Sequence, residues 1–129
     1  MTKLPISIGI MSWRDTDSLS KLLVNFKKQG LFKLSDDIHV LLQDGTQEDI
    51  DVVKKYPELR YTVVENLGNG GGISYLCKHT KYDYFFFLEN DWFIHEENNI
   101  YKDVERSLDL LKRGFTKVDL RSIGLLSGR

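Results

Sequence analysis

One stretch constrains this chain more than any other, because a strongly apolar run ends in two acids separated by a single residue. Residues 84–92 read Tyr-Phe-Phe-Phe-Leu-Glu-Asn-Asp-Trp. Side chains two positions apart on a strand lie on the same face, so Glu89 and Asp91 are predicted to present two carboxylates together at the end of a buried strand. Like charges repel there unless a cation neutralises them. The pattern therefore predicts a site for Mg²⁺ or Mn²⁺, which take oxygen ligands and accompany phosphate groups.

The alternative for the acidic pair is an ordinary solvated turn. His95 follows closely and is a candidate for a second metal ligand, although a histidine beside further acids is usually a surface residue. Cys77 is the only cysteine, so an internal disulfide is excluded, and we predict a small buried thiol.

The order of apolar patterns predicts an α/β fold. Strand patterns alternate with helical ones, which implies a mainly parallel sheet covered on both faces, a Rossmann-like three-layer α/β/α arrangement. The length of 129 residues fits a single domain. The predicted strands span 6–11, 38–43, 60–65 and 82–88, with one more possible within 116–126, and the predicted helices span about 15–29, 48–55, 73–79 and 100–112.

Four suggestive segments each follow a predicted strand. The carboxyl ends of parallel strands share one edge of a sheet, and ligands of such sheets bind outside that edge. The segments are therefore expected to converge; they are Ser12-Trp13-Arg14, Asp44-Gly45, residues 66–72 and Glu89-Asn90-Asp91.

Two of these segments have the chemistry to hold a planar base. Trp13, next to the hydroxyl of Ser12, is able to stack on a base, although an aromatic that simply packs on the sheet edge is the alternative. A carboxylate at Asp44 is able to accept the ring N–H of a pyrimidine, but Asp-Gly is also a common turn pair. Arg14 is either part of the same site or a solvated charge.

Residues 66–72 read Asn-Leu-Gly-Asn-Gly-Gly-Gly and are predicted to form a loop before a helix. Glycines permit positive φ angles and a close approach of backbone N–H groups to a ligand, and the helix start favours phosphate. Gly68 and Gly70, Gly71 and Gly72 are therefore candidates for phosphate or ribose contacts. A merely flexible loop is the alternative; the segment has neither the lysine of a P-loop nor the position of a dinucleotide-binding fingerprint.

The charge balance narrows the possible partners. Lys and Arg number 18 against 19 acids, for a net charge of −1, which argues against nucleic acid or an anionic membrane surface as a partner. No stretch approaches membrane-spanning length, and the apolar run at the start is too short for a signal peptide. The expected setting is soluble and cytoplasmic.

The ordered set of segments resembles the nucleotide-binding half of GT-A-fold glycosyltransferases, above all the large inverting family with an Asp-x-Asp motif. The resemblance covers about residues 4–95. It implies that Trp13 packs on uracil and that Asp44 contacts the base. Asn66-x-Gly68 resembles the start of the family's Asn-x-Gly loop, and Glu89-Asn90-Asp91 resembles the metal motif, whose last acid binds the ion that bridges the donor diphosphate.

The resemblance implies a metal-dependent transferase that moves a sugar from a nucleoside-diphosphate donor, with UDP expected, to a hydroxyl of a glycan, protein or small-molecule acceptor. Two departures matter: glutamate replaces the first acid of the motif, and Gly70–Gly72 stand where the family often has an arginine. Few residues follow Asp91, and no catalytic base is assigned. The acceptor region is therefore expected to be short or missing, which leaves a non-catalytic or partial nucleotide-sugar-binding domain as the alternative.

Two other classes fit the pattern less well. Sugar-phosphate nucleotidyltransferases carry a glycine-rich, arginine-containing signature after the first strand, which Ser12-Trp13-Arg14 does not match. A receiver-like signalling domain needs a phosphoacceptor aspartate after the third strand, where this chain has Glu65-Asn66.

Overall fold

The computed structural model describes residues 2–89, 92–95 and 99–114, together with the backbone of 125–127. The main sheet has four parallel strands, in the order β3-β2-β1-β4. These strands are β1 (Ile6–Trp13), β2 (Ile38–Gln43), β3 (Arg60–Val64) and β4 (Tyr84–Glu89). The helices are α1 (Thr16–Lys28), α2 (Gln47–Val53), α3 (Gly68–Lys78) and α4 (Ile100–Lys112), with a 3₁₀ turn at Leu31–Lys33. The predicted α/β class with a parallel sheet is confirmed.

The two central strands, β1 and β2, bury both of their faces, which is why their sequences are almost continuously apolar, whereas β3 and β4 are only partly buried. The even-numbered isoleucines of β1 belong to the larger cluster, with the buried face of α1 and parts of α4. Met11, on the other face, packs with Leu41 and with Leu76 of α3. The sheet is thus covered on both faces by helices, as predicted.

The starts of three helices follow ordinary capping chemistry. Asp15 accepts a hydrogen bond from the Ser18 amide at 3.0 Å and begins α1. Thr46 and Asp49 form a reciprocal capping box at the start of α2, and Asn99 caps α4. The predicted cap at Thr46 is confirmed, and of the two caps considered for the first helix the structure uses Asp15.

The start of α3 corrects the predicted loop. The helix begins at Gly68 rather than near residue 73, so the glycine-rich segment forms its first turns. Each glycine inside a helix costs about 1 kcal/mol relative to alanine, which is why the sequence favoured a loop. Two contacts compensate: the Leu67 amide donates to Gln43 Oε1 at 2.7 Å, and the Gly68 amide donates to Asn66 Oδ1 at 2.9 Å.

A second, two-stranded antiparallel sheet lies beyond the acidic motif. It pairs β5 (Trp92–Ile94), which the sequence did not predict, with β6 (Leu125–Ser127). The side chain of Asn25 in α1 holds β5, because its Nδ2 donates to the Ile94 carbonyl at 2.9 Å and its Oδ1 accepts from the Ile94 amide at 2.6 Å. The strand expected within 116–126 is represented by β6 alone, since residues 115–124 lie outside the described part of the chain.

A buried carboxylate joins the strands at the opposite, amino edge of the sheet. Asp37 is 6% exposed and accepts from Ser7 Oγ at 2.5 Å, the Lys81 amide at 2.9 Å and Arg60 Nε at 3.0 Å. These donors lie in or beside β1, β3 and β4. Asp37 is therefore a central polar contact at that edge.

The exposure of Cys77 and the character of the helices bear on two further predictions. Cys77 is exposed on α3, so the predicted buried thiol is wrong; its neighbour Leu76 occupies the buried side of the helix instead. In the described ranges, no helix has the length and apolar character needed to cross a membrane.

Candidate functional site

The carboxyl ends of β1 and β2 bring Trp13 and Asp44 into direct contact. Trp13 lies opposite Gln43 in the sheet register, and Asp44 is the next residue along. The indole Nε1 of Trp13 donates a hydrogen bond to Asp44 Oδ2 at 3.1 Å. Trp13 remains 48% exposed, so its ring is accessible to a ligand. The structure thus places together the two residues that the sequence assigned to a base.

Arg14 completes this contact with a positive charge. Its guanidinium lies 3.3 Å from Asp44 Oδ2 and 5.4 Å from the centroid of the Trp13 ring. Arg14 and Asp44 both have left-handed backbones, with φ of 48° and 50°. That conformation costs an L-residue about 1–2 kcal/mol and is concentrated at functional sites. The sequence allowed Arg14 to be either a site residue or a solvated charge. The residues next to Arg14 in the sequence did not indicate its pairing with Asp44.

Asp44 also reaches the end of β3. Its Oδ1 accepts a hydrogen bond from the Asn66 amide at 3.2 Å, and Asn66 Oδ1 in turn accepts from the Gly68 amide. One carboxylate therefore links three strand ends to the first turn of α3. Ser12, the remaining candidate of the first segment, is buried in β1 opposite Leu42.

Gln43 is a positioning residue that sequence reasoning missed. It is 2% exposed and accepts from the Leu67 amide, so it fixes the start of α3 against the sheet. The only sequence signal was an amide side chain at the end of an apolar strand. A Cβ at Gly72 would meet Met11 Sδ at 2.4 Å and Gln43 Nε2 at 3.0 Å, so this glycine permits the close approach of α3 to the sheet.

The predicted glycines therefore divide into two groups. Gly72 is buried against the sheet, whereas Gly68, Gly70 and Gly71 are exposed in the first turns of α3. Gly68 alone of the four has a positive φ, of 74°. Backbone N–H groups in the first turn of a helix have no partner within the helix, and the exposed glycines carry no side chain to cover them.

Glu89 lies at the same edge of the sheet, at the end of β4. It pairs in register with Met11 of β1, two residues before Trp13. Its predicted partner Asp91 lies outside the described residues, so the metal pair stays a prediction. His95 is half-buried just beyond β5. Within the described ranges, no group of three or more His, Cys, Asp and Glu side chains has an arrangement able to hold a metal ion.

The sheet order locates a crevice beside these residues. β1 has its sequence neighbour β2 on one side and β4 on the other, so the chain direction across the sheet reverses at β1. Ligands of open α/β sheets bind at such a reversal, outside the carboxyl ends of the strands. An open groove beyond the ends of β1 and β2 is lined by Arg14, Thr16, Asp44, Gly45, Thr46, Gln47, Glu48 and Asp49.

No known protein family and no curated protein matches the sequence of this chain. Solved structures do match it. The structure of S. aureus TarS 1-349 superposes with a TM-score of 0.66 at 19% identity, over 83% of this chain and 33% of TarS. HddC from Yersinia pseudotuberculosis superposes with a TM-score of 0.59 at 20% identity, over 82% of this chain and 55% of HddC.

These likenesses establish the fold, a Rossmann-like α/β fold. The chain spans about a third of the TarS structure and about half of HddC.

Proposed function

We propose that this chain binds a nucleoside-diphosphate sugar, with UDP as the nucleoside diphosphate, and takes part in transfer of the sugar to an acceptor hydroxyl. The observation that carries the proposal is the contact between the exposed indole of Trp13 and the carboxylate of Asp44 at the ligand-binding edge of the sheet. The glycosyltransferase-like fold shared with TarS and HddC supports it. The acceptor is a hydroxyl of a glycan, a protein or a small molecule.

The base binds against Trp13 and Asp44. Stacking of a base on an aromatic ring contributes about 1–3 kcal/mol. A carboxylate has about four acceptor positions, and among the described residues three groups contact that of Asp44, from Trp13, Arg14 and Asn66. One acceptor position is left for the N3–H group of uracil.

The diphosphate binds at the start of α3, where Gly70 is exposed and lies in the first turn, whose backbone N–H groups have no partner within the helix. The partial positive charge of a helix N-terminus favours phosphate there. Asn66 and Gly68, which Asp44 links to the base site, are the residues that connect the two parts of the donor site.

Glu89 and Asp91 hold Mn²⁺ or Mg²⁺ in this proposal. The carboxylate oxygens of Glu89 are the hard donors that these ions prefer, and Glu89 ends the strand next to β1. An ion bound there would supply positive charge to stabilise the departing diphosphate. The residues of this chain bind and orient the donor, so that binding energy from the base positions the sugar. No residue is assigned as the catalytic base.

Asp91→Asn is expected to abolish the Mn²⁺-dependent part of UDP binding and to leave the free energy of unfolding nearly unchanged. An amide is neutral and a much weaker ligand for a hard cation than a carboxylate. Isothermal titration calorimetry with and without Mn²⁺ measures the effect. Asp109→Asn is the matched control, because Asp109 is an exposed acid that pairs with Arg113 on α4. Undiminished Mn²⁺-dependent affinity in Asp91→Asn rules out the metal assignment.

A second function, donor binding without transfer, is favoured by one observation: the chain spans 33% of TarS and 55% of HddC. The nucleotide site is the same for sugar transfer and for donor binding alone. Release of UDP from a radiolabelled UDP-sugar, with and without added acceptor, distinguishes the two functions. Saturable UDP binding without any turnover identifies a binding domain, and turnover identifies a transferase.

A further inference from the structure

We propose that Arg14 is a specificity-determining residue that, together with Asp44, recognises the edge of the base and selects uracil over cytosine. This inference rests on the proposed nucleotide site. It gives Arg14 a contact with the base, which the proposed function does not assign to it. It is carried by the placement of a fixed cation beside the carboxylate that contacts the base.

The Arg14–Asp44 pair presents a donor and an acceptor side by side. The guanidinium nitrogen lies 3.3 Å from Asp44 Oδ2, so both groups are able to face one edge of a planar ring. The carboxylate is oriented by Trp13 Nε1 at 3.1 Å and the Asn66 amide at 3.2 Å. The pair therefore has a defined direction before any ligand arrives.

Arg14 is held in place although it is at the surface. Its side chain is 65% exposed, yet it contacts the Trp13 ring as well as the Asp44 carboxylate. A solvated arginine needs no unusual backbone, whereas Arg14 and Asp44 both adopt left-handed φ angles at the ends of adjacent strands. Strained backbone of this kind persists where the surrounding structure requires it.

Uracil and cytosine differ at the edge that this pair faces. Uracil presents an N3–H donor beside a carbonyl oxygen at C4, which matches an acceptor from Asp44 and a donor from Arg14. Cytosine presents a bare N3 and an amino group at C4, so acceptor faces acceptor and donor faces donor. Groups left unpaired in this way strongly disfavour the wrong ligand. Stacking on Trp13 accepts either ring, because every base has a π-face.

The test compares dissociation constants of UDP and CDP, with Mg²⁺ present, for the wild-type protein and Arg14→Asn. Asparagine is chosen because it tolerates a left-handed backbone, and far-UV circular dichroism checks the fold. Wild-type protein is expected to prefer UDP by about a hundredfold. Arg14→Asn is expected to lose about tenfold in UDP affinity, with CDP affinity unchanged or improved, so the preference falls to about tenfold or less.

Two further variants sharpen the comparison. Arg113→Asn is the matched control, since Arg113 forms an exposed ion pair with Asp109 on α4, and it is expected to keep the wild-type preference. Arg14→Lys keeps the charge without the planar fork of a guanidinium, so an intermediate preference is expected, and this variant also serves if Arg14→Asn fails to fold.

The outcomes separate this inference from the proposed function. Wild-type UDP binding with an undiminished UDP preference in Arg14→Asn overturns the role of Arg14 and leaves the nucleotide site intact. An equal loss of UDP and CDP affinity assigns Arg14 to the phosphates and also overturns its role in base selection. Binding of neither nucleotide by the wild-type protein overturns both.

Discussion

Asp44→Asn is expected to bind UDP about a hundredfold more weakly than the wild-type protein. Asparagine has the same shape and tolerates the positive φ of this position. It removes the charge and turns one oxygen into an N–H₂ donor, which then faces the donors of Trp13, Arg14 or Asn66. A hydrogen bond to a charged group contributes about 1.5–3 kcal/mol, and about 3 kcal/mol corresponds to a hundredfold in affinity. Calorimetry with UDP and Mg²⁺ provides the measurement.

Asp51→Asn is the matched control for this substitution. Asp51 lies on α2 and is exposed, and its carboxylate accepts a hydrogen bond from Gln47 Nε2 at 2.8 Å. We expect its UDP affinity to equal that of the wild-type protein. If Asp44→Asn also keeps wild-type affinity, Asp44 does not contact the base. It is then only a turn residue, which was the alternative interpretation of the Asp-Gly sequence.

Asp37→Ala is expected to lower the free energy of unfolding by about 3 kcal/mol. The substitution leaves the buried Ser7 hydroxyl without its acceptor and Arg60 without its ion pair, and it reduces the Lys81 amide to one acceptor, Ser7 Oγ at 3.1 Å. Loss of an acceptor for buried donors costs about 1–3 kcal/mol per group, and the partial exposure of Arg60 limits its share. Urea unfolding followed by circular dichroism measures the change.

The neighbouring acid provides the control. Asp36 forms an exposed ion pair with Lys81 at 2.9 Å and accepts an exposed hydrogen bond from the Tyr82 hydroxyl at 2.7 Å, and exposed pairs contribute about 0–1 kcal/mol. Asp36→Ala is therefore expected to change the unfolding free energy by less than about 1 kcal/mol. Equal effects of the two substitutions would contradict the role assigned to Asp37.

The contribution of Asp37 to stability is expected to depend on pH. Burial favours a higher pKa, but hydrogen bonds from Ser7, the Lys81 amide and Arg60, together with the charge of Arg60, outweigh it, so the pKa of Asp37 is lowered. A lowered pKa stabilises the fold above the unfolded value of about 3.9 and loses this effect as pH falls through the folded value. The stability difference between wild type and Asp37→Ala should therefore be constant near neutral pH and shrink in strong acid.

Much of the fold was predictable because its elements have clear periodicity. The observed β2 (Ile38–Gln43) and α4 (Ile100–Lys112) agree with the predicted ranges, since an apolar run and a helical stripe each indicate one structure. The start of α3 was not predictable from its own residues. The cost of its glycines is offset by a hydrogen bond to Gln43, which lies at the end of β2. The three-residue β5 has no pattern of its own and depends on Asn25, 69 positions away in the sequence.

The candidate site was predictable in part for the same reason. Parallel strands bring their carboxyl ends to one edge, so the meeting of Trp13, Asp44 and Asn66 followed from the strand order. The pairing of Arg14 with Asp44 did not, because it depends on left-handed backbones at two separate strand ends. A single sequence gives no signal for such a conformation at an arginine.

The most direct test of the nucleotide site is an NMR titration of the indole N–H groups with UDP. Trp13 and Trp92 are the two tryptophans of the chain, and their Nε1–H resonances are assigned by substituting each in turn. Mg²⁺ replaces Mn²⁺ to avoid paramagnetic broadening. We predict that the Trp13 resonance shifts saturably with UDP and fails to do so in Asp44→Asn. A Trp13 resonance that stays in place at millimolar UDP would contradict a base bound between Trp13 and Asp44.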